Sequence, residues 1–365
     1  MQTIDFLKKE ERLAASLTAL YKSRGYREYR MRTFEEYSLY LDHKDFLPGP
    51  GVITFSGMDG KLLALRPDVT LSVIKNAAID LGATEKLFYN EKVYRVSQEL
   101  KDYKEISQIG VEVLGAVDHT AQAEVLLLVI KTLSAVGQNY LVDLSHMGYV
   151  NAMLENFSGT EKQKAAVLDC LKKKNVHDFT AIATELGLSD QQISTFRTVV
   201  TLTGENEAVL EKAEACALCD GMTAAVQELR RLIAVMRVMG LDQKIKVNFS
   251  IANNSDYYNG VIFNGYIEGV PHAVLTGGRY DKLLQKFGKN AGAIGFALYL
   301  GELERYFPDE AEQTDILLVC SEDQAADALC ECEKLIADGY TVRLTTGNPQ
   351  GLRYKRKIIF QGGKQ

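Results

Sequence analysis

In Gln108-Ile109-Gly110-Val111-Glu112-Val113-Leu114-Gly115, the first six residues set polar or small residues against aliphatic ones in strict alternation. A strand points successive side chains to opposite faces. Gln108, Gly110 and Glu112 therefore share one face, and Ile109, Val111 and Val113 the other. The aliphatic face reads as core. A Glu and a Gln planted in mid-strand make sense where their face lines a pocket, and say nothing where it meets water.

Working outward, Lys86–Val96 reads as a second strand that ends on Tyr94-Arg95, with a polar loop, Ser97–Glu105, between the two. Further upstream, Arg66-Pro67-Asp68-Val69-Thr70 closes another strand with a carboxylate and a hydroxyl side by side. Asp68 and Thr70 suit an α-ammonium group through charge-assisted hydrogen bonds. The alternative is that Arg66 and Asp68 pair at the surface while Thr70 caps a helix. Ile53–Phe55 and Leu62–Leu65 flank Asp59-Gly60, a hairpin signal. Helical spacing marks Asp5–Arg24, stopped by Gly25, then Thr70–Leu81 and Thr120–Val136.

Downstream of a short strand, Tyr140–Leu144, the stretch from Tyr149 to Met239 is almost wholly helical and reads as an insertion. Strands return at Lys246–Ile251, Gly260–Ile267 and His272–Leu275. Gly277-Gly278 reads as a turn, Tyr280–Phe287 and Gly295–Tyr306 as helices, and Pro308–Gln313 as a linker. Residues 313–365 run strand, helix, strand, strand. Strands that arrive in hairpins with helices around them predict an α+β fold: a broad, mostly antiparallel sheet that can be covered on one face and hold a ligand on the other.

Composition bounds the function. The chain has 365 residues, and 42 Lys+Arg against 48 Asp+Glu give a net charge of -6. That length predicts two or three domains. Hydrophobic and charged fractions of 46% and 25% exclude disordered and collagen-like classes. Runs such as Val125–Ile130 are far shorter than a membrane span, and the first residues lack the apolar stretch of a secretory signal. Six cysteines in so long a chain are no disulfide scaffold, which makes the cytoplasm the expected compartment. Cys216/Cys219 and Cys330/Cys332 lack a His at ligand spacing, so no metal is expected. The basic runs Lys172–Lys174 and Arg353–Lys357 read as solvated faces.

Taken in order, several pieces resemble the core of histidyl-tRNA synthetase, a class II synthetase. Val52-Ile53-Thr54-Phe55 with Leu65–Thr70 is similar to that family's strand pair and amino-acid loop. Leu87-Phe88-Tyr89, Tyr94-Arg95 and Gln108–Gly115 are similar to motif 2 and its sequel. Asp256-Tyr257-Tyr258 and Gly277-Gly278-Arg279-Tyr280-Asp281 resemble the two histidine signatures, and Gly295-Phe296-Ala297-Leu298 the start of motif 3. The resemblance implies a class II aminoacyl-tRNA synthetase-like antiparallel sheet flanked by helices over residues 1–312. It carries the helical insertion at about 149–239 and is followed by a truncated anticodon-binding-like α/β unit at 313–365. That tail is about half the ~100 residues of an ordinary small domain.

By the same resemblance, Asp68, Thr70 and Gln108 would meet the α-amino group of histidine, and Glu112 and Tyr258 its imidazole. Arg95 and Tyr257 complete the set. A neutral imidazole offers one donor and one acceptor, which a Glu/Tyr pair can answer. The adenylation side departs from the family. Asn253 and Glu302 stand where the family carries arginines, Ser97 where it carries the adenine-reading Glu, and Arg32 where motif 1 carries Pro. Removing one preorganised charged group from around a transition state costs roughly 100- to 1,000-fold in rate.

A histidine-shaped pocket without those cations resembles the regulatory subunits of ATP phosphoribosyltransferase. That resemblance implies a non-catalytic chain without cofactor, paired with a short-form catalytic subunit as a homodimer within a hetero-octamer. Histidine would be the feedback ligand at the first step of histidine biosynthesis, with no membrane or nucleic-acid partner. An active synthetase and a free-standing histidine-binding module are the alternatives.

Overall fold

The computed structural model describes residues 9–43, 47, 51–77, 84–97, 102–252, 257–303, 313–347 and 352–361. Chain contacts divide it into two compact units, Met1–Tyr306 and Phe307–Gln365. In the first unit the elements run α1 (Lys9–Ser23), β1 (Arg27–Glu28), β2 (Phe34–Glu36), α2 (Tyr37–Leu41), β3 (Thr54–Ser56), β4 (Leu62–Leu65) and α3 (Val69–Asn76). Then come β5 (Glu85–Ser97), β6 (Asp102–Gly115), α4 (His119–Val136) and β7 (Tyr140–His146). Six helices follow: α5 (Met147–Glu155), α6 (Glu161–Lys172), α7 (Val176–Leu186), α8 (Asp190–Thr201), α9 (Asn206–Ala215) and α10 (Asp220–Val238). The unit closes with β8 (Ile245–Val247), β9 (Val261–Ile267), β10 (Leu275–Arg279), α11 (Asp281–Lys286) and β11 (Gly292–Tyr299).

Eight strands form one sheet in the order β1-β5-β6-β11-β10-β9-β7-β8. The pairings from β5 across to β7 are antiparallel, and β1 and β8 add parallel edges. The aliphatic face of β6 is core: Ile109, Val111 and Val113 are fully buried. Phe88 of β5 and Phe296 of β11 share that face, where the Tyr21 ring of α1 packs on both. The apolar helix α4 covers the same face, and the Tyr21 hydroxyl meets Thr132 Oγ1 of α4 at 2.9 Å. Gly265 of β9 lets α4 come close, since a Cβ there would lie 2.7 Å from Leu133. On the opposite face Leu87, Tyr89, Leu114 and Ala293 pack with Leu71 and Ile74 of α3 and Leu283 and Leu284 of α11 into a second core cluster.

Local signals start and stop the helices. Asp118 caps α4 by accepting from Ala121 N at 2.9 Å. Thr160 with Gln163 and Ser189 with Gln192 make capping boxes for α6 and α8. In α10, Met222, Val226, Leu229, Ile233 and Met236 recur at helical spacing and are buried against the sheet and its neighbours. Lys172 and Lys173 lie exposed at the end of α6, where cations favour the helix C-terminus. A small antiparallel sheet, β2-β4-β3, holds the predicted hairpin.

Several expectations need correction, among them the strands expected at His272–Leu275, which begins only at Leu275, and at Lys246–Ile251, which stops at Val247. Gly277-Gly278 is no turn: both lie inside β10, paired with β9 on one side and β11 on the other. Residues 292–299 form strand β11 rather than a helix, and among the described residues of the expected helix Leu300–Glu302 alone turn helically. Of the loop expected at Ser97–Glu105, Ser97 and residues 102–105 instead belong to the hairpin strands, with pairing that persists to Ser97↔Asp102. Glycine-rich segments have weak strand propensity, and here the sheet neighbours supply what propensity does not. The start of the helix expected at Asp5–Arg24, the end of that expected at Thr70–Leu81 and residues 308–312 of the expected linker lie outside the described residues.

The second unit holds β12 (Gln313–Val319), α12 (Ala325–Ala337), β13 (Val342–Thr345) and β14 (Arg353–Ile359). Its sheet is parallel, in the order β13-β12-β14, and α12 supplies the crossover that a parallel pair requires. No helix among the described residues is long and apolar enough to cross a membrane.

Candidate functional site

On the face of the sheet opposite α4 lies a cavity of about 200 Å³. Its lining includes Asp68, Thr70, Arg95, Gln108, Glu112, Tyr257 and Tyr258, the seven residues singled out in the sequence. They come from four separate segments: strand pairing joins Arg95 of β5 to Gln108 and Glu112 of β6, while Asp68 and Thr70 come from the start of α3 and Tyr257 and Tyr258 from the segment before β9. Register sets Gln108 opposite Tyr299 and Glu112 opposite Gly295, so the polar face of β6 continues onto β11. Gly295 has to be glycine for this to work, because a Cβ there would fall 1.8 Å from Glu112 Oε2.

Glu112 is buried on the floor of the cavity, with 2% of its surface exposed. Thr70 Oγ1 donates to its Oε1 at 2.9 Å, and the Tyr280 hydroxyl donates to its Oε2. Burial pushes this carboxyl up to about 8; the two hydroxyl hydrogen bonds oppose the shift and the negative charge of Asp68 adds to it. The same desolvation pushes the phenols of Tyr89, Tyr257, Tyr258 and Tyr280 upward, so all four stay protonated donors.

Asp68 both builds and serves the site. Its Oδ1 accepts from Leu71 N at 3.0 Å, so Asp68, and not Thr70, caps α3. Its Oδ2 lies 3.9 Å from the Arg95 guanidinium. Burial raises its pKa first, and Arg95 pulls against that shift. Arg95 is tied down in turn, its Nε donating to the Pro67 carbonyl at 2.9 Å. Arg95 is the one Lys or Arg in the lining among the described residues.

The expected Arg66–Asp68 surface pair does not form. Arg66 is buried and pairs with Glu91 at 2.6 Å, while its Nη1 donates to the Met31 carbonyl at 2.8 Å and its Nε to the Lys92 carbonyl. This knot ties the end of β4 to β5 and so places Asp68.

Tyr280, Tyr89, Thr276 and Tyr299 were not assigned from sequence, yet they also line the cavity. Tyr280 sits in the Gly277–Asp281 signature, and its ring lies 5.8 Å from that of Tyr257. Asp281 braces both tyrosine segments: it accepts from Arg279 Nε at 2.8 Å, Asn259 Nδ2 at 3.1 Å and Ala293 N at 2.9 Å. The signal for Tyr89 was Gly110, its partner in the strand register, since a glycine inside a strand marks a close approach. Thr276 and Tyr299 meet hydroxyl to hydroxyl at 3.0 Å.

Glu302 is exposed and pairs with His272 Nε2 at 2.6 Å. Asn253 and Asp256 lie outside the described residues. Among the described residues no group of three or more His, Cys, Asp or Glu could hold a metal ion. Cys216 Sγ rests instead against the Tyr149 hydroxyl at 3.6 Å.

Comparison with known proteins bears on this cavity. The family model for histidyl-tRNA synthetase matches residues 5–303. The ATP phosphoribosyltransferase regulatory subunit of Geobacillus kaustophilus is 32% identical over 291 residues, 78% of this chain and 74% of that one. A crystal structure of an ATP phosphoribosyltransferase regulatory subunit/histidyl-tRNA synthetase from Bacillus halodurans superposes with a TM-score of 0.81 at 26% identity, covering 96% of this chain and 93% of the other. The ATP phosphoribosyl transferase (HisG:HisZ) complex of Thermotoga maritima contains a chain of the same fold, with a TM-score of 0.63 at 17% identity over 80% of this chain and 97% of that one.

Proposed function

The chain belongs to the family of ATP phosphoribosyltransferase regulatory subunits, built on the histidyl-tRNA synthetase fold, and we propose that it acts without catalysis of its own. It would be required by a short-form catalytic subunit for the first step of histidine biosynthesis, and it would carry the histidine signal to that subunit. The observation that supports this most is the make-up of the cavity. Seven residues suited to an amino acid with an imidazole ring converge there, around one guanidinium that is held by Asp68 and a main-chain carbonyl.

Adenylation would need cations around a triphosphate and a developing mixed anhydride. By the resemblance Glu302 takes the place of a motif 3 arginine, so that cation would be missing here. Histidine would enter with its ammonium toward Asp68, Thr70 and Gln108, and its ring toward Glu112 and Tyr258. Feedback then requires histidine to bind the active and inhibited assemblies with different affinity. A homodimer inside a hetero-octamer is the assembly the resemblance implies.

The test mixes the full chain with the short-form catalytic subunit encoded in the same genome. Phosphoribosyl transfer should appear on mixing and fall when histidine is added. The reading fails if the mixture is no more active than the catalytic subunit alone, or if the chain by itself exchanges pyrophosphate into ATP in a histidine-dependent way.

A further inference from the structure

The backbone that carries Tyr258 is held from the helical insertion. β10 ends on Gly278-Arg279, and successive residues of a strand face opposite sides of the sheet. Gly278 pairs with Gly295 on the cavity side, and the Tyr258 ring rests on it: a Cβ there would lie 2.9 Å from Tyr258 Cδ1. Arg279 pairs with Ile294, which pairs with Val113 on the face that α4 covers. On that face stands Glu228 of α10. His146 ends β7 and is buried, with its Nε2 3.3 Å from Glu228 Oε2. Gln122 of α4 hydrogen-bonds the same carboxylate, and the charge of Arg279 acts on it. Glu228 itself is not part of the cavity lining.

From these partners the contacts run on to the tyrosine segment. The Arg279 carbonyl accepts from Asn259 N at 3.0 Å, and its Nε donates to Asp281 Oδ2 at 2.8 Å. Asn259 and Asp281 hold each other: Asn259 Nδ2 donates to Asp281 Oδ2 at 3.1 Å, and Asp281 N donates to Asn259 Oδ1 at 2.8 Å. Met147, the neighbour of His146, donates its N–H to the Gly260 carbonyl at 2.8 Å. Asn259 and Gly260 directly follow Tyr257-Tyr258. The two strands that Glu228 engages, β7 and β10, flank β9 on either side.

We propose that Glu228 is a positioning residue for the cavity, and that α10 of the insertion serves the site by holding the β7 and β10 ends on which the tyrosine segment hangs. One carboxylate engages a residue at each of those ends, from the face opposite the ligand. A charge in a half-buried place acts on its neighbours more strongly than one in water. Without it, Arg279 keeps Asp281 but loses its tie to the helix layer, and the main-chain bonds at Asn259 and Gly260 open more often. A plain ion pair that only adds stability would loosen α10 or the whole fold, so the place where the chain loosens decides between the two. The ligand arm of the test rests on the histidine reading above, and the exchange arm does not.

The experiment is amide hydrogen exchange, read by mass spectrometry on the full chain, with calorimetric titration of histidine beside it. In Glu228→Gln, peptides that span residues 257–261 and Met147 should exchange roughly tenfold faster or more, while α6 to α8 keep their protection. Histidine affinity should fall by a similar factor. Asp169→Asn removes an exposed pair with Lys173 on the same insertion and should change neither. If Glu228→Gln melts early, the shorter Glu228→Asp is read in the same way. Faster exchange confined to α10, or spread evenly over the chain, would overturn the inference. So would weaker histidine binding with residues 257–261 as protected as in the wild type. Faster exchange at 257–261 in a chain whose wild type binds no histidine would support the positioning role and refute the ligand reading alone.

Discussion

Replacing Glu112 by Gln should make the protein respond less to alkaline pH. The carboxyl is buried, and its pKa rises from an ordinary 4.5 to about 8 in the folded chain. Between those values the folded state keeps a proton that the unfolded state has released. Stability then falls as pH rises, at up to about 1.4 kcal/mol per pH unit. Over the whole interval this amounts to about 5 kcal/mol, a large share of a domain's stability. Gln fills the same space, keeps an acceptor oxygen for one of the two hydroxyls while its NH2 can donate to the other, and never ionises.

Urea denaturation of both proteins at pH 5 and pH 8.5 reads this contribution, because titrating groups remote from Glu112 cancel in the difference. The variant should match or trail the wild type at pH 5 and gain several kcal/mol on it by pH 8.5. If the two stability curves run parallel across that range, Glu112 is not the buried neutral acid described here.

Two further substitutions separate roles within the site. Asp68→Ser keeps a capping oxygen for Leu71 N but removes the charge. Stability should move by less than about 1 kcal/mol, while histidine affinity falls roughly ten- to a hundredfold, read as a loss of ligand-induced thermal shift. Arg66→Met leaves the largely covered Glu91 without its cation. It should cost about 3–5 kcal/mol in denaturant unfolding, far more than removal of an exposed pair such as Lys61–Glu36.

How much of this was legible in the sequence can be judged element by element. The period-two pattern of Gln108–Val113 told which residues share a face, because alternation is a property of the strand itself. The Asp59-Gly60 hairpin, the helical block and the apolar stretch of α4 were legible for the same reason: their signals lie within a few residues of one another. The seven cavity residues were found through ordered motifs, and no spacing rule would have gathered four distant segments.

Only the tertiary structure made strands of residues 275–279 and 292–299. Their glycines weaken local preference, and pairing with β9 and β6 decides the outcome. It also chose Asp68 as the cap of α3, gave Arg66 to Glu91, and brought Tyr280 onto Glu112 across 168 residues of chain. Periodicity is written in near neighbours, whereas hydrogen-bond partners and burial depend on which strands meet, and that is settled when the whole sheet assembles.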